Sequence, residues 1–185
     1  EEYDVSYPVI TYADGRDATG VNEILRNAAC AQLDTMYPEP QEEYLYLDED
    51  YPYLACYVDY EITYMSDEIL CVAFQDHYFN GSMWGEFCDL RTRVINLATA
   101  ERYEDSFNDA PAFTAQMAGQ TMDGEILDGR YYSNYVLCKN DIYVNLTYHY
   151  YDEGLIMHGW DSTQWMMEEL EPYRTDSDLW EKYLK

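Results

Sequence analysis

Three histidines, five cysteines and 37 acidic residues are the groups in this 185-residue chain that could carry chemistry. His77 stands within "DHY" (76–78), and His149 and His158 close the two ends of "HYYDEGLIMH" (149–158). A zinc-type site would need His149 and His158 to converge with Asp152 or Glu153 across a loop, and nothing in the spacing enforces that. Cys30, Cys56, Cys71, Cys88 and Cys138 contain no C-x-x-C pair and no Cys/His spacing of a zinc site. A nucleophile needs a base within reach. No G-x-S-x-G occurs, and Cys71 falls in mid-strand, where a thiol packs as a small hydrophobe. Glycoside hydrolysis needs two carboxylates flanking a cleft, but such a pair is always to be found among 37 acids and so indicates nothing. "LDEDY" (47–51) lacks the glycine and terminal glutamate of a calcium loop. These residues assign no catalytic role, metal or cofactor, and the reading is of a protein that is not an enzyme.

The densest chemistry is of another kind. "EEYLYLDEDYPYL" (42–54) sets five acids and four tyrosines in thirteen positions. Glu42, Glu43, Asp48, Glu49 and Asp50 could steer a cationic partner, with Tyr44, Tyr46 and Tyr51 as anchors, since acids accelerate encounter and tyrosines supply buried contact area. The same stretch also reads as an acidic loop facing water. Both readings stay open.

Composition narrows the partners. Ten Lys and Arg face 37 Asp and Glu, a formal net charge of -27. Nucleic acid and anionic membrane surfaces are disfavoured, because both require clustered basic residues. A cationic protein would be attracted, with an on-rate that falls as salt rises. Twenty-two tyrosines suit half-buried sheet faces and also sugar or protein contacts. No run of about 18 apolar residues exists to span a bilayer. No signal peptide is visible, and the start at Glu1 rather than Met is expected of a chain from which a leader was removed. Two sequons, at Asn80 and Asn145, matter only in a eukaryotic secretory pathway.

The elements expected to hold these residues follow from periodicity. "VSYPVITYAD" (5–14) predicts an edge strand. The apolar spacing of 20–38 predicts one long helix, with Asp17 or Thr19 as cap and Pro38 as its stop. Residues 38–52 read as a loop. Alternation in 53–65 places Leu54, Cys56, Val58, Tyr60, Ile62 and Tyr64 on one face of a half-buried strand. Strands at 69–79 and 83–99 continue it as an antiparallel meander, with a turn at 80–82. A turn near Ser66–Asp67 sets Cys56 near residue 77 and the turn at 80–82 sets Cys71 near residue 90, so no direct disulfide is expected. A short helix is expected near 110–118 and a hairpin at 130–138 and 142–151. A loop at 152–159, a strand at 160–167 and an acidic helix over 168–173 follow. A final amphipathic turn is capped by Thr175 or Ser177. The fold class is α+β: an antiparallel meander packed with one long N-terminal helix, then a smaller α+β half.

The order of these segments resembles a bacterial envelope family. "ILCVAFQDHYFNGSMWGEFCDLRTRVINLATAERYEDSF" (69–107), the "VNEIL" helix, "YVLCKNDIYVNLTYHYYDEG" (135–154) and "WDSTQWMMEEL" (160–170) are similar to successive motifs of extracellular domains of the RsiV/PdaC type. In that type a domain of unknown function 4163 is followed by a domain of unknown function 3298. Ala100 stands where the family carries glycine, and Cys71 where it carries serine. The resemblance implies two parts, 1–107 and 108–185, forming one compact unit without catalytic residues of its own. It implies a bacterial protein outside the cytoplasmic membrane, secreted, lipid-anchored or part of an anti-sigma ectodomain. It also implies a lysozyme-like cationic partner, with cell-wall glycan as the alternative ligand.

Overall fold

Half-buried and apolar strands build the central sheet, and one side chain on the N-terminal helix takes Ile10 out of the first strand. The computed structural model describes residues 2–39, 53–81, 87–103, 131–139, 141–152 and 155–185, and for 131–134, 145–152, 155–161 and 163 it describes the backbone. In chain order the elements are β1 (Glu2–Val5), α1 (Thr19–Cys30), α2 (Leu33–Met36), β2 (Leu54–Met65), β3 (Ile69–Asn80), β4 (Phe87–Asn96) and β5 (Glu101–Arg102). Then come β6 (Tyr131–Leu137), β7 (Ile142–Asp152), β8 (Leu155–Trp165), α3 (Met167–Leu170), a 3-10 turn (Glu171–Tyr173) and α4 (Asp178–Tyr183). One sheet has the order β1-β2-β3-β4-β5, antiparallel except for β1 on β2, and a second has the order β6-β7-β8. The class is α+β, as the sequence predicts.

β1 lies at the sheet edge, but it spans residues 2–5 and not 5–14. Its last bond runs from the Ser6 N–H to the Val58 carbonyl, 2.8 Å. Pro8 has no N–H to offer a ladder. Ile10 is taken by a side chain instead of a strand: Asn22 Oδ1 accepts its N–H at 2.7 Å, and Asn22 Nδ2 donates to its carbonyl at 2.9 Å.

The long helix expected over 20–38 is two. The carboxylate of Asp17 accepts from the Thr19 N–H (2.9 Å) and hydroxyl (2.6 Å), and α1 begins there. It ends at Cys30 because the Ala28 carbonyl, which would accept from residue 32, is claimed by the Arg91 guanidinium and by an i+3 bond from Ala31. α2 resumes at Leu33.

In β2 the alternation fails at its end. The register shifts between Ile62 and Tyr64, so Tyr64 pairs with Cys71 and crosses to the opposite face while Ile62 is exposed. Tyr64 there meets the Tyr183 ring edge-on, centroids 5.0 Å apart. The β3–β4 register also differs from expectation, with Cys71 opposite Val94 and Cys88 opposite His77. β3 ends at Asn80 and β4 begins at Phe87, and their register is centred between residues 82 and 83. The loop expected at 152–159 is strand: β8 starts at Leu155 and pairs with β7 over its whole length. The acidic helix is a single α turn followed by a 3-10 turn around Pro172, which lacks the N–H a continued helix would use. Ser177, not Thr175, caps the last helix, accepting from the Leu179 N–H at 3.3 Å. The helix expected at 110–118 lies outside the described residues.

The five-stranded sheet is the middle layer. On one face Val21, Leu25 and Ala28 of α1 pack on Val58, Val72, Phe74 and Ile95. On the other, Ile69, Cys71 and Val94 share a core with Val136, Ile142 and Val144 of the second sheet, Trp165, and Leu179 and Trp180 of α4. Each large apolar side chain so buried contributes about 1.5–3 kcal/mol.

Candidate acidic and aromatic surface

The eight residues singled out by type, Glu42, Glu43, Tyr44, Tyr46, Asp48, Glu49, Asp50 and Tyr51, lie outside the described residues. Immediately after them, however, the chain carries the same chemistry into the sheet. Successive residues of a strand alternate between faces. Glu2 and Asp4 of β1 therefore share a face with Tyr57, Asp59 and Glu61 of β2, and the register sets Asp4 beside Tyr57. This is the face opposite α1. Among the described residues, the core shared with the second sheet takes Ile69, Cys71 and Ala73 on this face, with Leu90 packed against it.

The other end of this face is acidic and aromatic. Glu2, Asp4, Asp59 and Glu61 are exposed there, as is Tyr53. The Tyr53 hydroxyl lies 3.3 Å from Glu2 Oε2 and 3.2 Å from the Tyr57 hydroxyl, and its ring meets Phe79 edge-on at 5.4 Å. The bond to Tyr53, burial, and the Glu2 carboxylate together hold the Tyr57 phenol above its ordinary range. An open cleft of about 380 Å³ is lined here by Asp4, Ser6, Tyr57, Asp59, Gln75 and His77. Among the described residues of β1–β4 on this face there is no Lys or Arg.

At the floor of this end three side chains form a chain that sequence reading missed. His77 and Cys88 are register partners on β3 and β4. Cys88 Sγ lies 3.4 Å from His77 Nδ1, and the Gln75 amide lies 3.3 Å from His77 Nε2. The signal was in the sequence: centring the β3–β4 turn between residues 82 and 83 pairs positions 77 and 88. Placing it at Asn80–Ser82 hides the pair.

On the α1 side of the same strands, Asp76 is fully buried and Arg91 grips it, Nη2 to Oδ1 at 2.7 Å and Nε to Oδ2, while Nη1 reaches the Ala28 carbonyl. Burial pushes the Asp76 carboxyl up, and Arg91 opposes that shift. This pair is scaffold for the surface above it.

The backbone places His149 and His158 at directly facing positions of β7 and β8, and Asp152 faces Leu155 at the end of that ladder. Glu153 lies outside the described residues. Among the described residues no group of three or more His, Cys, Asp or Glu could hold a metal ion. All five cysteines are free thiols. Burial pushes the thiols of Cys30, Cys56, Cys71 and Cys138 up, Cys56 to about 12 and Cys71 to about 11. Among the described residues no helix is long and apolar enough to cross a membrane.

No family model matches the chain, and no curated protein sequence matches it. Among solved structures it is similar to a member of the DUF3298 family from Bacteroides fragilis, at 14% identity, covering 91% of this chain and 73% of that one with a TM-score of 0.49. It is also similar to a DUF3298 family protein from Pseudomonas aeruginosa PAO1, at 11% identity, covering 80% and 69% with a TM-score of 0.41. These are likenesses of the chain, and its family is not assigned from them.

Proposed function

We propose that this chain is a non-catalytic binding or sensing module of a bacterial cell envelope, secreted or tethered, whose acidic and tyrosine-rich surface takes a cationic protein such as lysozyme. The finer resemblance, a domain 4163 part at 1–107 and a domain 3298 part at 108–185, belongs to this proposal. The observation that carries it is the one-sided face: Glu2, Asp4, Asp59 and Glu61 beside Tyr53 and Tyr57, with no cation among the described residues sharing it. Carboxylates spread along a strand edge raise the local concentration of a basic partner, and tyrosines add contact area at low entropic cost. In sequence, 42–51 just before Tyr53 carries five further acids and three further tyrosines.

The test is calorimetric titration with hen lysozyme at low and at physiological salt, with a basic protein of similar size as control. Binding to lysozyme alone that survives physiological salt supports the proposal. Equal binding to both that vanishes with salt reduces the surface to nonspecific charge. No binding to lysozyme, with salt-independent binding to peptidoglycan fragments, replaces it with a cell-wall glycan module.

A further inference from the structure

The thiol of Cys88 differs from the other four in what touches it. Cys30, Cys56 and Cys71 are buried in the core. Cys138 is half-buried near the β6–β7 turn, where Glu61 and Asp141 add negative potential. Cys88 is half-buried on the acidic face, with an imidazole nitrogen 3.4 Å from its sulfur. The far nitrogen of that ring meets the Gln75 amide nitrogen at 3.3 Å, and turning the amide over about its last bond puts its oxygen there. With the amide oxygen turned to the ring, Gln75 accepts from Nε2–H, which leaves Nδ1 as the acceptor facing the thiol. A base within reach of a thiol and a third group fixing the base's tautomer is the arrangement that activates a cysteine nucleophile. His77 and Gln75 line the cleft, and the half-buried sulfur lies against the same imidazole.

We propose that Cys88 is a reactive thiol that forms mixed disulfides with small cationic or neutral disulfides. His77 Nδ1 takes the Cys88 proton, and the thiolate attacks one sulfur of the incoming disulfide R–S–S–R. The Cys88 S–S bond forms as the R–S–S–R bond breaks, and the departing thiolate takes the proton back from His77. The products are the protein mixed disulfide and one R–SH, so the incoming disulfide supplies the oxidising equivalents. Charge sets the preference. Among the described residues, the titratable groups facing the dyad are Asp4 on β1 and Tyr57 and Asp59 on β2, so an anionic disulfide meets repulsion. This modification requires no catalytic turnover and stands apart from the binding proposal above.

The experiment treats the full chain at pH 7 with cystamine, hydroxyethyl disulfide or oxidised glutathione and follows each cysteine by peptide mass spectrometry. Cys88 is expected to react about tenfold or more faster than Cys138, consistent with the gain a positioned base gives. The expected order is cystamine, then hydroxyethyl disulfide, then oxidised glutathione, with the spread narrowing as salt is added. In His77→Gln, checked for native circular dichroism, the rate at pH 7 falls about tenfold and the pH–rate profile moves toward the ordinary thiol range near about 8.5. Gln75→Ala, a positioning change, gives a smaller fall in the same direction. Should His77→Gln not fold, the ratio of the Cys88 to the Cys138 rate in the native protein still decides. Cys88 no faster than Cys138, or a profile unmoved in His77→Gln, would overturn the proposal.

Discussion

Asp76, at the centre of the sheet, has no exposed surface, and Arg91 holds both of its carboxylate oxygens while also reaching back to the Ala28 carbonyl near the end of α1. One guanidinium thus ties β3, β4 and the helix together. A buried pair gains little net stability over an apolar one, but losing one partner strands the other charge. Arg91→Ala is expected to cost about 3–5 kcal/mol in chemical denaturation. Because folding raises the Asp76 pKa, ionised Asp76 weakens the fold above that pKa, and the penalty lifts as pH falls through it. A carboxyl-carbon NMR titration should place its midpoint above the ordinary 3.8, and higher again once Arg91 is replaced. Arg91→Lys, which keeps the charge, is the variant to use if Arg91→Ala does not fold. A midpoint below 3.8 in the native protein contradicts this account.

Asn22 substitutes for a strand neighbour by closing both backbone groups of Ile10. Asn22→Ala leaves a donor and an acceptor unpaired beside the core, at roughly 1–3 kcal/mol. Hydrogen exchange at Ile10 is the specific readout. Its protection should drop in the variant while that of β3 is retained.

Ala100 adopts φ 54°, the left-handed region, and its Cβ lies where a Cβ on Gly20 would come within 2.9 Å. The hairpin between β4 and β5 demands that conformation, with Asn96 Oδ1 accepting from the N–H groups of Ala98 (2.9 Å) and Thr99 (3.2 Å). Alanine is strained there and glycine is not. Ala100→Gly is expected to raise stability by about 0.5–1 kcal/mol, read as a higher melting temperature. Gly20→Ala should lower it.

Tyr183 on α4 donates to the Cys138 carbonyl at 2.6 Å and also lies 3.1 Å from that of Asp141, latching the last helix onto the β6–β7 turn. Tyr183→Phe removes the latch and keeps the ring against Tyr64. The expected loss is about 1–2 kcal/mol, with faster amide exchange in the β6–β7 turn. An unchanged denaturation midpoint would show that water replaces the hydroxyl at no cost.

The acidic face gives a kinetic prediction. The triple variant Asp4→Asn, Asp59→Asn, Glu61→Gln should slow association with lysozyme about tenfold at low salt and leave the dissociation rate nearly unchanged, because rim charges act on encounter. Stopped-flow rates at two salt concentrations check it. A change confined to dissociation would mean that these carboxylates sit inside the contact and not at its rim.

Local signals made much of this protein legible from its residues. Period-two alternation in 54–62 and the apolar run from Ile69 to Phe74 announce β2 and β3, because a strand's faces repeat every second residue whatever it packs against. Net charge and the acid–tyrosine composition needed no fold at all. Tertiary structure decided the rest, where a long-range partner outbids a local preference. Arg91, sixty-three residues away in sequence, ends α1 by taking a helical carbonyl. Asn22 takes Ile10 out of a strand, and the bulge before Tyr64 turns that ring toward α4. The meeting of Cys88 with His77 hangs on the length of one turn, since shifting a hairpin register changes every cross-strand pair at once. Neither residue carries a pattern of its own, so the pairing that makes them a site exists only once the sheet has formed.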